Sequence, residues 1–268
     1  MLKDITLGQY FPGKTVVHRL DPRTKLLILI LYIVALFLAK RYFSYGAVFI
    51  FLVTATILGR IPLKSMTRGL KPMLIFIIIT ALLNLFYTKT GKLLIDWKFI
   101  HIYSGGVESA FFMVSRIMML VCGTFLLTYT TSPIALTDAL ERLLKPLKLI
   151  RVPVHELAMM MCIALRFIPT LIEETDKIIS AQKARGADFE TGSIFRRAKA
   201  LIPILVPLFV SAFRRADELA TAMECRCYHG GKGRTKMKVL RFALRDYLAL
   251  LVGAVLLAGV IVLRHFGL

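Results

Sequence analysis

Residues 155–186 read HELAMMMCIALRFIPTLIEETDKIISAQKARG, and residues 194–227 read IFRRAKALIPILVPLFVSAFRRADELATAMECRC. In the first stretch Leu157, Met161, Ala164, Leu165, Ile168, Leu171, Ile172 and Ile179 recur at three- and four-residue steps. In the second, Leu201, Ile202, Leu205, Leu208, Phe209, Ala212, Ala216, Leu219 and Met223 do the same. That period gathers apolar side chains on one face of a helix. The other faces hold Glu173, Glu174, Lys177, Arg196, Arg197, Arg214, Arg215, Asp217 and Glu218. A helix of this length extends about 45 Å at 1.5 Å per residue. One-sided helices with so many charges are expected to lie along a surface or pack on one another, not to span lipid. Pro203 and Pro207 are expected to bend the second.

The two stretches end alike. Asp176, Ala181 and Arg185 recur as Asp217, Ala222 and Arg226, all three at one constant offset. Each arginine sits between small residues, in Ala184-Arg185-Gly186 and Cys225-Arg226-Cys227. Arginine offers five donors in a planar fork that suits a carboxylate, and it stays charged at any relevant pH. At a helix C-terminus it also complements the negative end of the dipole. Gly186 fits the position after a helix, where a left-handed residue closes the last turn. For the second motif the stop is expected later, at Gly230-Gly231. An amphipathic helix ending in such a cation can plug into a groove on another protein. Two such ends predict two grooves, or one on each of two similar partners.

The setting of this pair is a membrane. The chain has 268 residues, 57% of them hydrophobic, and a mean hydropathy of +0.70. Those values point to an all-α polytopic membrane protein with about five spans. The spans are read at 26–39, Tyr42–Gly59, 73–87, 107–130 and 247–263. The first has only fourteen apolar residues, so Lys25 and Lys40 are expected to snorkel or the bilayer to thin. The fourth carries one interior charge, Arg116. The organisation is therefore a cytoplasmic N-terminal segment (1–25), spans one to four (26–130), a cytoplasmic coupling-helix domain (131–246) and a last span (247–268). Residues 131–246 hold twenty Lys/Arg against twelve Asp/Glu. This excess, with Lys3, Lys14, Arg19, Arg23 and Lys25 before span one and Arg60, Lys64, Arg68 and Lys71 after span two, orients the chain by the positive-inside rule. The N-terminus and coupling domain fall inside, the C-terminus outside. Positions 1–24 show no cleavable signal, so insertion is expected to rest on the first internal span.

The net charge is +20. In a soluble chain it would point to nucleic acid. Here the basic residues flank apolar runs, so anionic headgroups are the expected contact and nucleic acid is not. Cys122, Cys162, Cys225 and Cys227 form no disulfide framework. Cys225, Cys227 and His229 supply only three local ligands where a structural zinc wants four, so no metal is expected. Met159, Met160 and Met161 suit either ordinary filling or an adaptable docking surface. No Gly-rich phosphate loop is present, so ATP is not hydrolysed by this chain.

A third string completes the picture: His18-Arg19-Leu20-Asp21-Pro22-Arg23-Thr24-Lys25-Leu26. By itself it is a basic anchor before a span, with Asp21 capping the helix and Pro22 in its first turn. Taken with Ala184-Arg185-Gly186 and with residues 222–228, Ala-Met-Glu-Cys-Arg-Cys-Tyr, it resembles the transmembrane T component of energy-coupling-factor (ECF) transporters, over essentially the whole chain. The resemblance implies a non-catalytic subunit of an ATP-driven importer in a prokaryotic plasma membrane. It implies that Arg185 and Arg226, with Ala184, Gly186, Cys225 and Cys227, dock two ABC-type ATPases, two different ones. Those partners, not this chain, bind ATP and Mg. It further implies a small membrane S component that binds a vitamin or metal ion, faced here by Leu157, Met161, Leu165, Ile168, Leu205, Leu208 and Phe209. The cysteines around Arg226 replace the family's usual Ala and Gly. Two rivals differ in kind. An ordinary ABC permease would carry its own substrate, but its coupling loop occurs once per subunit, against two plugs here. Glu173-Glu174-x-x-Lys177 is loosely similar to a motif of intramembrane proteases, with its arginine missing and its carboxylates on a charged helix face.

Overall fold

In a computed structural model of the chain, residues 10–88, 90, 92–97, 100–187, 189, 193–230 and 240–266 are described. They form two compact units, one of the described residues up to Ala139 together with those from Leu240 onward, the other of those from Leu140 up to 230.

The first unit holds α1 (Pro22–Leu38), α2 (Tyr42–Gly59), α3 (Leu63–Leu70), α4 (Leu74–Tyr87), α5 (Ser104–Thr130), the start of α6 (Pro133–Leu143) and α9 (Leu244–His265). Tyr42–Gly59 matches its expected span residue for residue. A short element departs from the expected loop at 88–106. Leu93–Trp97 pairs antiparallel with Ile100–Tyr103, as β1 and β2. Ile, Trp and Tyr favour that conformation where helical periodicity is missing.

Among the described residues, five helices are long and apolar enough to cross a membrane: Tyr42–Gly59, Lys64–Tyr87, Ser104–Thr130, Val154–Ala184 and Leu244–His265. The number agrees with the sequence, but the membership differs. α1 is only 17 residues long, about 26 Å. Val154–Ala184, expected to lie outside the lipid, qualifies because Arg166 is its one charge between Glu156 and Glu173.

α1 is the enclosed centre of its unit. Tyr32, Ala35, Leu36 and Ala39 are buried with Tyr45, Val48, Leu52, Met119 and Val260 in one cluster. Tyr32 donates to the Met119 carbonyl at 2.8 Å, so α1 and α5 are joined inside the apolar layer. Gly123 of α5 is required there. A Cβ at that position would stand 2.5 Å from the Tyr32 ring, and small residues are what allow membrane helices this close an approach. Arg116, the lone charge in the span read at 107–130, donates to the Tyr45 hydroxyl at 2.9 Å and to the Ala39 carbonyl at 3.3 Å. Ala39 caps α1 and Tyr45 lies in the first turn of α2, so the charge sits at that end of the unit and is not stranded mid-span.

The string at 18–26 ties the opposite end. Asp21 caps α1, accepting from the Arg23 amide at 2.9 Å, and Pro22 occupies the first helical position. Asp246 of α9 accepts from the Asp21 amide through Oδ1 and from the Ala243 amide through Oδ2, both at 2.8 Å. Arg23 donates to the Leu240 carbonyl at 2.9 Å and lies over the Phe242 ring. Lys25, expected to snorkel, is buried instead: Nζ donates to the Thr130 carbonyl at 2.8 Å and the His18 carbonyl at 3.3 Å. His18 Nε2 lies 3.0 Å from the Phe11 carbonyl and Nδ1 2.7 Å from the Thr15 hydroxyl. A carbonyl only accepts, so Nε2 carries the proton. Burial holds the His18 imidazole below its usual pKa, and the Lys25 charge acts in the same direction against the Phe11 bond. One knot thus joins the N-terminal segment, α1, the end of α5 and the start of α9.

Asp246→Ala leaves two backbone donors in this knot without an acceptor. Each costs about 1–3 kcal/mol, so the unfolding midpoint in detergent should fall by several degrees. Asp246→Asn should lie between the two. An unchanged midpoint for the alanine variant would show the knot to be dispensable.

Candidate docking site

The second unit is built on α7 (Val154–Ala184) and α8 (Ile194–Cys225), each starting within a residue of the stretch read from periodicity. α6 leads into a 3-10 turn at Lys145–Ile150, and Glu141 meets His155 at 3.0 Å near the start of α7. Pro203 and Pro207 lie inside α8, and α7 contains a proline as well, Pro169.

The two long helices run antiparallel. Ile163, Phe167 and Leu171 face Ala212, Ala216, Leu219 and Met223 across a cavity of about 270 Å³. Further on, Arg215 donates to Glu174 at 2.8 Å, and the Ser211 hydroxyl donates to the same carboxylate. Beyond that, the Gln182 amide reaches the Pro203 carbonyl at 3.3 Å. As α7 advances, its partners on α8 recede. Arg215 stands 41 residues after Glu174, the offset that relates Asp176 to Asp217 and Arg185 to Arg226. The internal repeat is thus expressed as an antiparallel pair in which an equivalent position of each helix meets the other. Arg185 and Arg226 each lie eleven residues past this contact, about 16 Å along the axis, in opposite directions.

Both helices end in the same way. Arg185 follows the last helical residue, Ala184, and the Gly186 amide bonds the Lys183 carbonyl at 3.0 Å. The Ala187 amide bonds the Gln182 carbonyl at 3.0 Å. At α8, Arg226 follows Cys225, the Cys227 amide bonds the Glu224 carbonyl at 2.8 Å and the Tyr228 amide bonds the Met223 carbonyl at 3.0 Å. This pair of bonds is the Schellman stop, with its left-handed residue just after the arginine. Gly186 has φ +86° there and Cys227 has φ +57°. The stop expected at Gly230-Gly231, of which Gly231 lies outside the described residues, is thus corrected to Cys227. The bonds that close the last turn fix the left-handed residue, and cysteine takes it despite its Cβ. Both guanidiniums are exposed, and among the described residues neither has a hydrogen-bond or ion-pair partner.

Cys225 and Cys227 are free and exposed. The His229 ring is engaged locally, Nδ1 lying 2.9 Å from the Cys227 carbonyl, and His155 is held by Glu141. Among the described residues no three metal-binding side chains converge. Glu174, one carboxylate of the protease-like motif, is committed to Arg215 and Ser211, while Glu173 is exposed.

The apolar stripe of α8 divides in two. Its later residues, from Ala212 to Met223, face α7. Leu201, Ile202, Leu205, Val206, Phe209, Val210 and Phe213 are exposed. Of the expected partner-facing residues, Leu157, Met161, Leu205 and Phe209 are exposed, whereas Leu165, Ile168 and Leu208 are half-covered. Val206, Val210 and Phe213 extend the free stripe beyond the expected set.

Residues 13–237 match the family described as cobalt transport protein, CbiQ. The chain is 54% identical over 257 residues to a protein of Clostridium kluyveri named energy-coupling factor transporter transmembrane protein EcfT, covering 96% of this chain and 95% of that one. It is 53% identical over 263 residues to a protein of that name from Thermosediminibacter oceani, with 98% and 99% covered. To the Bacillus subtilis protein of that name it is 46% identical over 261 residues, with 97% and 98% covered.

A left-handed residue with a Cβ carries a penalty of about 1–2 kcal/mol that glycine avoids. Cys227→Gly should therefore slow hydrogen exchange at the Cys227 and Tyr228 amides by about fivefold or more, and Cys227→Val should speed it. Equal exchange in all three would show that the Schellman bonds at this end do not persist.

Proposed function

The chain belongs to the cobalt transport protein family, CbiQ, as a transmembrane component of an energy-coupling factor transporter, and we propose that it is the mechanical coupling subunit, joining two ABC ATPases to a separate substrate-binding S component. The observation that carries this reading is the pair of chemically matched helix ends. Each presents one exposed arginine at a closed Schellman stop, and the two point away from a shared contact at Glu174 and Arg215. A solvated cation could sit anywhere on a helix; two held at the same cap position by the same bonds form a repeated device. Two distinct ATPase grooves are the partners that fit two such ends.

Arg185 and Arg226 would each meet a carboxylate in a groove, with Ala184 and Gly186, or Cys225 and Cys227, small enough to allow close approach. ATP and Mg would be bound by the ATPases alone. Their closure would carry the two helix ends, and α7 and α8 would turn that displacement into movement of the S component, opening its substrate to the cytosol. The exposed stripe from Leu201 to Phe213, with Leu157 and Met161, is the surface offered to it. With the helix ends docked to ATPases, the N-terminus and Leu140–Val239 face the cytoplasm of a prokaryotic cell, in agreement with the positive-inside count. A metal ion such as cobalt, or a vitamin, would be chosen by the S component.

Arg185→Glu should lose one ATPase and Arg226→Glu the other, each with loss of uptake but normal insertion. Removing one partner of a buried charge pair costs about 2–5 kcal/mol, and reversal costs more. Leu205→Glu or Phe209→Glu must bury an unpaired charge. Either should release the S component and keep both ATPases. Co-purification of all partners from one membrane preparation reads both effects. Retention of both ATPases by the double arginine variant would refute the docking assignment. Loss of the ATPases with retention of the S component in the stripe variants would reverse the assignment of faces.

A further inference from the structure

The first unit contains an apolar slot of about 350 Å³ between α1, α2, α5 and α9. Its walls run from Lys25 to Tyr32 on α1, from Thr130 back to Gly123 on α5 and from Arg245 to Val252 on α9. Each wall advances seven residues, so the slot is about 10 Å deep. The two cations, Lys25 and Arg245, stand at one end, and the rest is apolar apart from a few hydroxyls.

The slot is open along one side, so an occupant is chosen by its fit to the depth and the lining. One hydrocarbon chain, about 4–5 Å across at carbon contact distances, displaces roughly 160 Å³ over that depth, so two chains side by side match the slot. Chains gain little by leaving bulk lipid, which is as apolar as leucine. Selection must therefore come from the charged end. Lys25 donates there only to two neutral carbonyls, of Thr130 and His18, and an ammonium has a third donor. Arg245 is exposed and, among the described residues, has no ion-pair partner. Both Asp246 oxygens and Asp21 Oδ1 accept from backbone amides, Asp21 Oδ2 is buried with no hydrogen-bond partner among the described residues, and both carboxylates act on the Lys25 charge, so Arg245 is the uncompensated cation of this end.

We propose that this slot is a binding site for an anionic diacyl phospholipid, its chains between α1, α2, α5 and α9 and its phosphate on Arg245 and Lys25. The proposal goes beyond the coupling role and does not depend on it, since the lipid contacts only the membrane unit.

The test uses the full chain, delipidated in mild detergent and mixed with phosphatidylglycerol and phosphatidylcholine of identical chains, with retained lipid counted by native mass spectrometry. The wild type should retain phosphatidylglycerol with a preference of about fivefold for each cation engaged. Arg245→Gln should lose most of that preference. Arg241→Gln, at an exposed cation outside the slot, should keep it. Ala249→Phe, which fills the slot, should lower retention of both lipids. Equal retention of the two lipids by the wild type would overturn the proposal, as would an unchanged preference in Arg245→Gln. So would unchanged lipid retention in Ala249→Phe, which would leave the slot to a polypeptide segment. None of these outcomes involves the ATPases, so the docking assignment stands or falls separately.

Discussion

Everything in the unit of the two long helices depends on the register in which α7 and α8 meet. Glu174 and Arg215 set it, with Ser211 on the same carboxylate. The pair is partly exposed, and such pairs contribute little to stability. Its importance is positional. A slip of one helical turn would move the helix ends past each other by about 5.4 Å. Because the contact joins equivalent positions of an internal repeat, the two arms beyond it are equal. Each arm then ends in an arginine fixed by two backbone bonds. Two independent loops could present two arginines, but they could not keep them at matched distances from a common point.

The membrane unit solves a different problem. Its α1 is short, and its start is polar. In the knot, the Asp21 and Asp246 carboxylates accept from backbone amides and the Lys25 ammonium donates to backbone carbonyls. Such pairing is how polar groups are tolerated at the margin of an apolar core. The family-like string at 18–26 is therefore architectural in this chain. It joins the starts of α1 and α9 through Asp21 and Asp246, 225 residues apart in sequence.

How far the sequence discloses this structure follows from the range of each interaction. The bodies of the helices at 154–184 and 194–225 were legible because periodicity and charge repeat every turn. Asp21 as a cap and Pro22 in the first turn were legible because both act within three residues. The stop at Cys227 was not, since a left-handed cysteine has no local signal and the nearby glycines offered a plausible one. Asp246 gave no signal because its partner lies at the other end of the chain. The division of the α8 stripe into a half that packs on α7 and a half that remains free cannot be read from one helix, because both halves share a period. The same limit applies to Val154–Ala184, where clustering of charge toward the C-terminal half leaves an apolar first half that a whole-helix reading averages away.

The two arginines stand at opposite ends of one antiparallel pair that meets at Glu174. Spin labels at Lys183 and Cys225, with Cys122, Cys162 and Cys227 replaced, measure this in the assembled transporter by double electron–electron resonance. Two arms of about 16 Å on helices about 9 Å apart place the labelled sites roughly 25–35 Å apart, depending on the crossing angle. The account predicts a distribution in that range without nucleotide and a shift of its mean when ATP is bound. A mean below about 15 Å, close to the spacing of two packed helix axes, would place both arginines at the same end. A distance unaffected by ATP in a transporting complex would remove the lever. Either result would contradict the account.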